Sequence, residues 1–256
     1  MNDKIMYRLM RFGAHALARG RLQIEVSGLE HVPQQGPAIL VARHYHHLFD
    51  GVALHCAIPR RVHILVTLDW AIHPLTRRFM EGLIRAARWP LTLRAEALAH
   101  RAPSGGPRAL FTLAHLRRYQ RRAIHDSIAL LSEGRLLVIF PEGYPNVDPH
   151  YTPKTNADEM LPFKRGFVTI AAATERRLRT MIPLIPVGLR YTTGTKLVAH
   201  LNLGPPQTAG DFRSRDSAVR SFERQIAVLS NLAQTGTGGS RSTKSKAPLK
   251  TWAGGR

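Results

Sequence analysis

Apolar residues in this chain follow two rhythms. Short continuous runs occur at Ala38-Ile39-Leu40-Val41-Ala42, Leu136-Leu137-Val138-Ile139-Phe140 and Ile182 to Leu189, with turn-forming residues nearby. Runs of this kind suit strands buried on both faces. Looser alternation marks Arg21 to Val26 and Lys196 to Asn202 as further strands, and another is expected over His63 to Leu68. Between them the spacing lengthens to the helical period, predicting helices over Ile5 to Ala18, 74–88, 108–119, 122–133, 164–178 and 213–232. Gly134 is placed to stop the helix over 122–133. Pro33-Gln34-Gln35-Gly36-Pro37, Pro103-Ser104-Gly105-Gly106-Pro107 and Gly204-Pro205-Pro206 punctuate the pattern. Short apolar strands alternating with longer amphipathic helices predict an α/β fold, a mostly parallel sheet flanked by helices.

Three stretches follow. Residues 1–20 form a basic amphipathic helix, with Met6, Leu9, Met10, Phe12 and Leu17 set among Lys4, Arg8, Arg11 and Arg19. Such a helix either covers the core or lies against a membrane surface. Residues 21–232 form the folded body. Residues 233–256, rich in Gly, Ser, Thr and Lys, offer too little apolar surface to fold and are expected to be a disordered basic tail. No apolar run has the length to cross a bilayer, and the first residues lack the apolar core of a secretory signal. The expectation is a cytoplasmic protein that touches the inner face of the membrane from one side.

Charge changes this picture more than composition does. The chain has 256 residues, and 37 Lys and Arg against 17 Asp and Glu give a formal net charge of +20. Such a surface attracts nucleic acid, anionic lipid, or an acidic carrier or phosphorylated substrate. The single cysteine, Cys56, excludes an intramolecular disulfide framework.

Candidate chemistry lies where the Ala38–Ala42 strand ends, in Arg43-His44-Tyr45-His46-His47-Leu48-Phe49-Asp50. A hydroxyl is a poor nucleophile at neutral pH, and a neutral imidazole beside it takes the proton as the oxygen attacks. A carboxylate on the other ring nitrogen fixes the tautomer. His46 and Asp50 share a helix face if the helix already includes both, whereas His44 needs a loop that folds back. The bland reading is that these histidines cap the sheet edge. Strand ends of open α/β sheets commonly open into active-site crevices, which favours chemistry.

These residues, taken with later ones, resemble the glycerolipid acyltransferase family, which includes the enzymes that acylate lysophosphatidic acid. Its first signature is an Asn-His pair with four residues between the His and an Asp; here Arg43-His44 is followed by one residue more. An ungapped match would put Tyr45 in the catalytic place, so His44 is taken as the base and His46 as its alternative. Trp89-Pro90-Leu91-Thr92-Leu93-Arg94 is similar to the second block, whose Arg serves the acceptor phosphate. Phe140-Pro141-Glu142-Gly143 resembles the third, although Tyr144-Pro145-Asn146 follows where many relatives have Thr-Arg-Ser. Pro162-Phe163-Lys164-Arg165-Gly166, Ile185-Pro186-Val187 and Leu203-Gly204-Pro205-Pro206 resemble later segments.

The resemblance implies transfer of a fatty acyl group from acyl-CoA or acyl-carrier protein to a hydroxyl of a phosphorylated glycerolipid acceptor. His44 and Asp50 are the implied catalytic pair, with Arg94, Glu142, Gly143 and Lys164 as substrate-binding candidates. Glu142 suits an acceptor hydroxyl or the orientation of Arg94, since a carboxylate repels phosphate. No metal and no permanently bound cofactor is implied. Two rivals stand beside this reading. His44-Tyr45-His46 begins like a metal-dependent hydrolase's His-x-His pattern, with His63, His73, His125 or His150 as completing ligands. The basic surface and Arg241, Lys244 and Lys246 would suit a nucleic-acid-binding protein, although no recognition motif accompanies them.

Overall fold

The computed structural model describes residues 3–71, 73–95, 112–149 and 151–232. Its central strand, β2 (Ala38–Ala42), is buried at every position, as its unbroken apolar run requires. The other strands of the main sheet are β1 (Leu22–Ser27), β3 (Val62–Ile64), β6 (Leu136–Ile139), β7 (Leu184–Thr193) and β8 (Leu197–Leu203), in the order β1-β8-β7-β2-β6-β3. Every neighbouring pair is parallel except β7 with β8. The sheet is therefore mostly parallel, as its pattern predicts.

Alternate residues of each strand enter opposite core layers. Leu40, Val138, Ile185 and Val187 pack towards helices α1 (Asp3–Ala18) and α2 (Phe49–Ala57), meeting Ala14, Val52 and Leu54. Ile39, Val41, Leu137 and Ile139 face α5 (Gly166–Leu178) and α6 (Arg215–Leu229), meeting Phe167, Ile170, Phe222 and Ile226. The end of α6 crosses β7 so closely that a Cβ on Gly188 would lie 2.3 Å from the Leu229 carbonyl carbon. That contact needs glycine there.

Two expectations change. The strand over His63 to Leu68 divides: β3 stays in the main sheet, and β4 (Val66–Thr67) pairs in parallel with β5 (Leu91–Thr92) in a small second sheet. The two helices expected over 108–119 and 122–133 are one, α4 (Leu113–Ser132). Nothing between Tyr119 and Arg122 breaks a helix, and Thr112 caps its start by accepting from the His115 backbone N–H. Helix α3 (Pro74–Ala86) precedes β5, with proline in its first turn. The expected turn at Pro103–Pro107 and the tail over 233–256 lie outside the described residues.

This topology positions the candidate chemistry. β2 and β6 are parallel neighbours with Val41 opposite Ile139. Their carboxyl ends deliver Arg43-His44 and Phe140-Pro141-Glu142-Gly143 side by side, at the rim where α/β sheets hold ligands.

Candidate active site

The chain between His44 and Asp50 loops back so that the His44 Nδ1–H donates to Asp50 Oδ2 at 2.8 Å. The residue that makes this segment longer than the family pattern is absorbed by the loop. The backbone N–H groups of Tyr45 and His46 turn inward and donate to the same oxygen at 2.7 and 3.0 Å. Asp50 Oδ1 accepts from the Tyr191 hydroxyl at 2.8 Å. Burial raises the pKa of that phenol well above its ordinary value, with the Asp50 charge adding to the effect, so it remains a donor. The carboxylate is fully buried and meets only donors.

With Nδ1 committed, the His44 proton sits there and Nε2 keeps its lone pair. Nε2 makes no hydrogen bond among the described residues, and the His44 side chain is 17% exposed. The ring lies on Phe140, centroids 4.3 Å apart and planes 20° from parallel. Carboxylate, oriented imidazole and open nitrogen together form the arrangement that general-base chemistry uses.

His46 is built differently. Helix α2 begins at Phe49, so the shared helix face proposed for His46 and Asp50 does not form. The His46 Nδ1 instead accepts from the N–H groups of Leu48 and Phe49 at 3.2 and 3.3 Å, capping α2. Burial, aided by the neighbouring His47, lowers its pKa from 6.5 to about 4. His47 donates Nδ1–H to the Val147 carbonyl at 3.2 Å. Tyr45 stacks on Tyr191, centroids 5.0 Å apart. Of the cluster's rings, only His44 meets Asp50.

Glu142 is 1% exposed and points into the protein. Its Oε1 accepts the His44 backbone N–H at 2.8 Å, and its Oε2 accepts the Leu161 N–H at 2.9 Å and pairs with Lys154 Nζ at 2.6 Å. Lys154 also donates to the His44 carbonyl at 2.8 Å and to Asn146 Oδ1 at 3.0 Å. Burial lowers the lysine pKa and the Glu142 charge opposes that shift. The His44 peptide is thus clamped on both sides by one buried ion pair. Arg43, where the family has Asn, is also fully buried and donates to the carbonyls of Leu189 and Ala157 at 3.1 and 2.5 Å.

Arg94 is oriented by Asp69 and not by Glu142. Its Nε and Nη2 donate to Asp69 Oδ2 at 2.9 and 2.7 Å, and Nη1 donates to the Gly143 carbonyl at 2.9 Å. The guanidinium lies 4.0 Å from the centre of the Tyr144 ring. Gly143 adopts φ +77°, the left-handed region, and a Cβ there would sit 3.5 Å from Lys164 Nζ. Arg94, Gly143 and Lys164, separate in sequence, therefore meet at one rim. The departures at Tyr144 and Asn146 have structural work. Tyr144 carries Arg94, and Asn146 Nδ2 donates to the Asn156 and Glu159 carbonyls at 2.7 and 3.0 Å.

Asp69, Lys154 and Tyr191 escaped sequence reasoning because they lie in no motif. Among the described residues no group of three His, Cys, Asp or Glu side chains is arranged to hold a metal ion, so His63, His73 and His125 do not complete a set with His44 and His46. His150 lies outside the described residues.

Known proteins are similar to this chain in fold and in sequence. A solved structure of the 1-acyl-sn-glycerophosphate (LPA) acyltransferase PlsC from Thermotoga maritima superposes with a TM-score of 0.58 at 18% identity, covering 93% of this chain and 81% of that one. An uncharacterised protein of Mycobacterium tuberculosis is 29% identical over 78% of this chain and 47% of its own length. One from Mycobacterium leprae is 27% identical over 78% and 46%. The chain thus spans about half the length of these curated relatives. Residues 23–190, more than half of the chain and including both the His44–Asp50 pair and the Arg94 rim, match the family model described as Acyltransferase, and the chain belongs to that family.

Proposed function

We propose that this acyltransferase moves a fatty acyl group from an acyl thioester, acyl-CoA or acyl-carrier protein, to a hydroxyl of a glycerol-phosphate-type lipid acceptor. The observation that carries the reading is the 2.8 Å bond from His44 Nδ1 to the buried Asp50, which leaves Nε2 open. In this scheme Nε2 removes the acceptor hydroxyl proton as the oxygen bonds to the thioester carbonyl carbon. Asp50 stabilises the imidazolium that results. Collapse of the tetrahedral adduct breaks the carbon–sulfur bond, and the departing thiolate takes the proton from His44 Nε2. The products are an ester and the free carrier thiol.

Lys164 and the outer edge of Arg94 are assigned to the acceptor phosphate, because paired cations favour a dianion and a guanidinium can form parallel charged hydrogen bonds. Gly143 lets phosphate approach the backbone between them. Glu142 holds the base instead of touching substrate. The lipid nature of both reactants suits a peripheral protein on the inner face of the cell membrane. The exposed ridge of Ile5, Leu9 and Phe12 on α1 supports contact there.

The test supplies acyl-CoA or acyl-carrier protein with a panel of lysophospholipids and glycerol phosphate. Ester formation is expected with at least one acceptor. It should fall at least about a thousandfold in His44→Ala and Asp50→Ala while circular dichroism shows both folded. Full activity in His44→Ala would overturn the mechanism.

A further inference from the structure

Strand β7 runs on where its parallel neighbour β2 stops. β2 ends at Ala42, opposite Val187, and β7 continues to Thr193, so Tyr191 stands four residues, roughly 13 Å, past that level. Val187, Leu189 and Tyr191 alternate onto one face of the strand, whose core layer also takes in Val52 and Leu54 of α2. Asp50 lies in the first turn of that helix. The Tyr191 side chain is thereby aimed at the carboxylate from across the core. Its backbone is fixed in the antiparallel ladder, opposite Ala199 of β8.

Packing alone does not call for tyrosine there. A phenylalanine fills the same apolar layer, and a buried hydroxyl is costly unless it is hydrogen-bonded. This hydroxyl meets Asp50 Oδ1 at 2.8 Å. The other donors to Asp50, the His44 Nδ1–H and the N–H groups of Tyr45 and His46, all converge on Oδ2. They also all come from the segment that the aspartate itself closes. Among the described residues Tyr191 is the one donor to Asp50 from outside that segment, and the one on Oδ1. Without it, bonds to a single oxygen leave the tilt of the carboxylate unfixed, and a buried oxygen is left bare. The ring adds a second hold. It stacks on Tyr45, centroids 5.0 Å apart and planes 23° from parallel. Tyr45 follows His44 in the loop that carries one residue more than the family spacing.

We propose that Tyr191 is a positioning residue for acyl transfer: its hydroxyl fixes Asp50 and, through Asp50, the His44 imidazole, while its ring steadies the lengthened loop. The proposal rests on the reading of His44 as the base. In that scheme the imidazole gains a proton as the acceptor oxygen attacks, and Asp50 must keep both its charge and its angle to Nδ1. A phenol that donates to the carboxylate and holds its own proton serves both needs. Burial, with the Asp50 charge behind it, raises the Tyr191 pKa in the direction this requires.

The experiment compares the whole chain with Tyr191→Phe, which keeps the ring, and with Tyr45→Leu, which keeps the hydroxyl bond but removes the stack. The first readout is the proton NMR signal of the His44 Nδ1–H, which a carboxylate partner shifts far downfield and which His44→Gln identifies by its loss. In Tyr191→Phe this signal is expected to move and broaden, because the carboxylate no longer holds one angle. The second readout is acyl transfer to an acceptor that the parent acylates. Tyr191→Phe should lower kcat about tenfold and leave both substrate KM values within about twofold, since Tyr191 touches neither substrate. Tyr45→Leu should cost less. An unmoved signal or an unchanged kcat would overturn the proposal, whatever stability is lost in urea, because Tyr191 would then only fill the core. A loss in Tyr45→Leu as large as in Tyr191→Phe would also overturn it, since the rings alone would hold the site. If the signal moves as expected but the parent acylates no acceptor, the positioning of His44 stands and the lipid-acceptor reading fails. A parent with no downfield proton would overturn the proposal together with the His44–Asp50 pairing.

Discussion

At the scale of single residues, what separates His44 from His46 is which nitrogen each has left. His44 spends Nδ1 on Asp50, whereas His46 spends Nδ1 as an acceptor at the start of α2. Protonating His46 would put a cation at the positive end of a helix and forfeit two hydrogen bonds, consistent with a pKa of about 4. The pKa of His63, fully buried, is also lowered to about 4, first by burial and then by Arg61. Both groups bind protons more weakly folded than unfolded, where histidine titrates near 6.5. Their neutral forms are therefore compatible with full stability above pH 6.5, and stability falls as pH drops from 6.5 towards 4. His46→Asn keeps an acceptor for the helix but cannot titrate. Urea unfolding at pH 7 and pH 4.5 is expected to show the variant losing about 1–2 kcal/mol less than the parent across that interval, allowing for partial exposure. Equal losses would show that His46 is not held neutral. Acyl transfer at pH 7 should stay within a few-fold, unlike in His44→Ala.

At the scale of elements, the segment between β6 and α5 is the site's scaffold. It supplies Glu142, Lys154 and Asn146, whose contacts end at the His44 peptide. The side chains of Glu142 and Lys154 are both fully buried, so removing one charge strands the other. Lys154→Met should lower stability by about 3–5 kcal/mol in chemical denaturation and reduce acyl transfer, because His44, the proposed base, loses its clamp. Glu142→Gln combined with Lys154→Met should recover part of that stability, since no bare charge remains. A loss below about 1 kcal/mol in the single variant would refute the clamp. The same segment shows how far sequence pattern reaches. β2 and β6 were legible because unbroken apolar runs admit few structures, and the family resemblance named His44, Asp50, Arg94 and Glu142 as candidates. Pattern could not tell that His63 to Leu68 serves two sheets, since both need apolar residues there. Nor could it give Glu142 its job: a buried carboxylate is assigned by its partner, and Lys154 lies in a loop with no period.

At the scale of the molecule, the small β4–β5 sheet must be held to the large one for the two halves of the site to face each other. Arg94 makes that tie. Following β5, it reaches back to Asp69 after β4 and across to the carbonyl of Gly143 after β6. Arg94 is 8% exposed and Asp69 4%, so the pair is largely removed from solvent screening. Asp69→Ala would leave a buried guanidinium with one carbonyl and a tyrosine ring, at a cost of about 3–5 kcal/mol. That cost should not spread evenly. The large sheet keeps its core layers on both faces, whereas the small one has a single two-residue strand pair. Amide hydrogen exchange is therefore expected to quicken at least tenfold at Val66, Thr67 and Leu91, with β2 and β6 nearly unchanged. The acceptor KM should rise more than kcat falls, because His44 and Asp50 keep their geometry while the proposed phosphate rim loosens. Uniform acceleration of exchange across both sheets would mean that Asp69 supports the whole fold. A kcat loss with unaltered KM would detach Arg94 from the acceptor and return it to a purely architectural role.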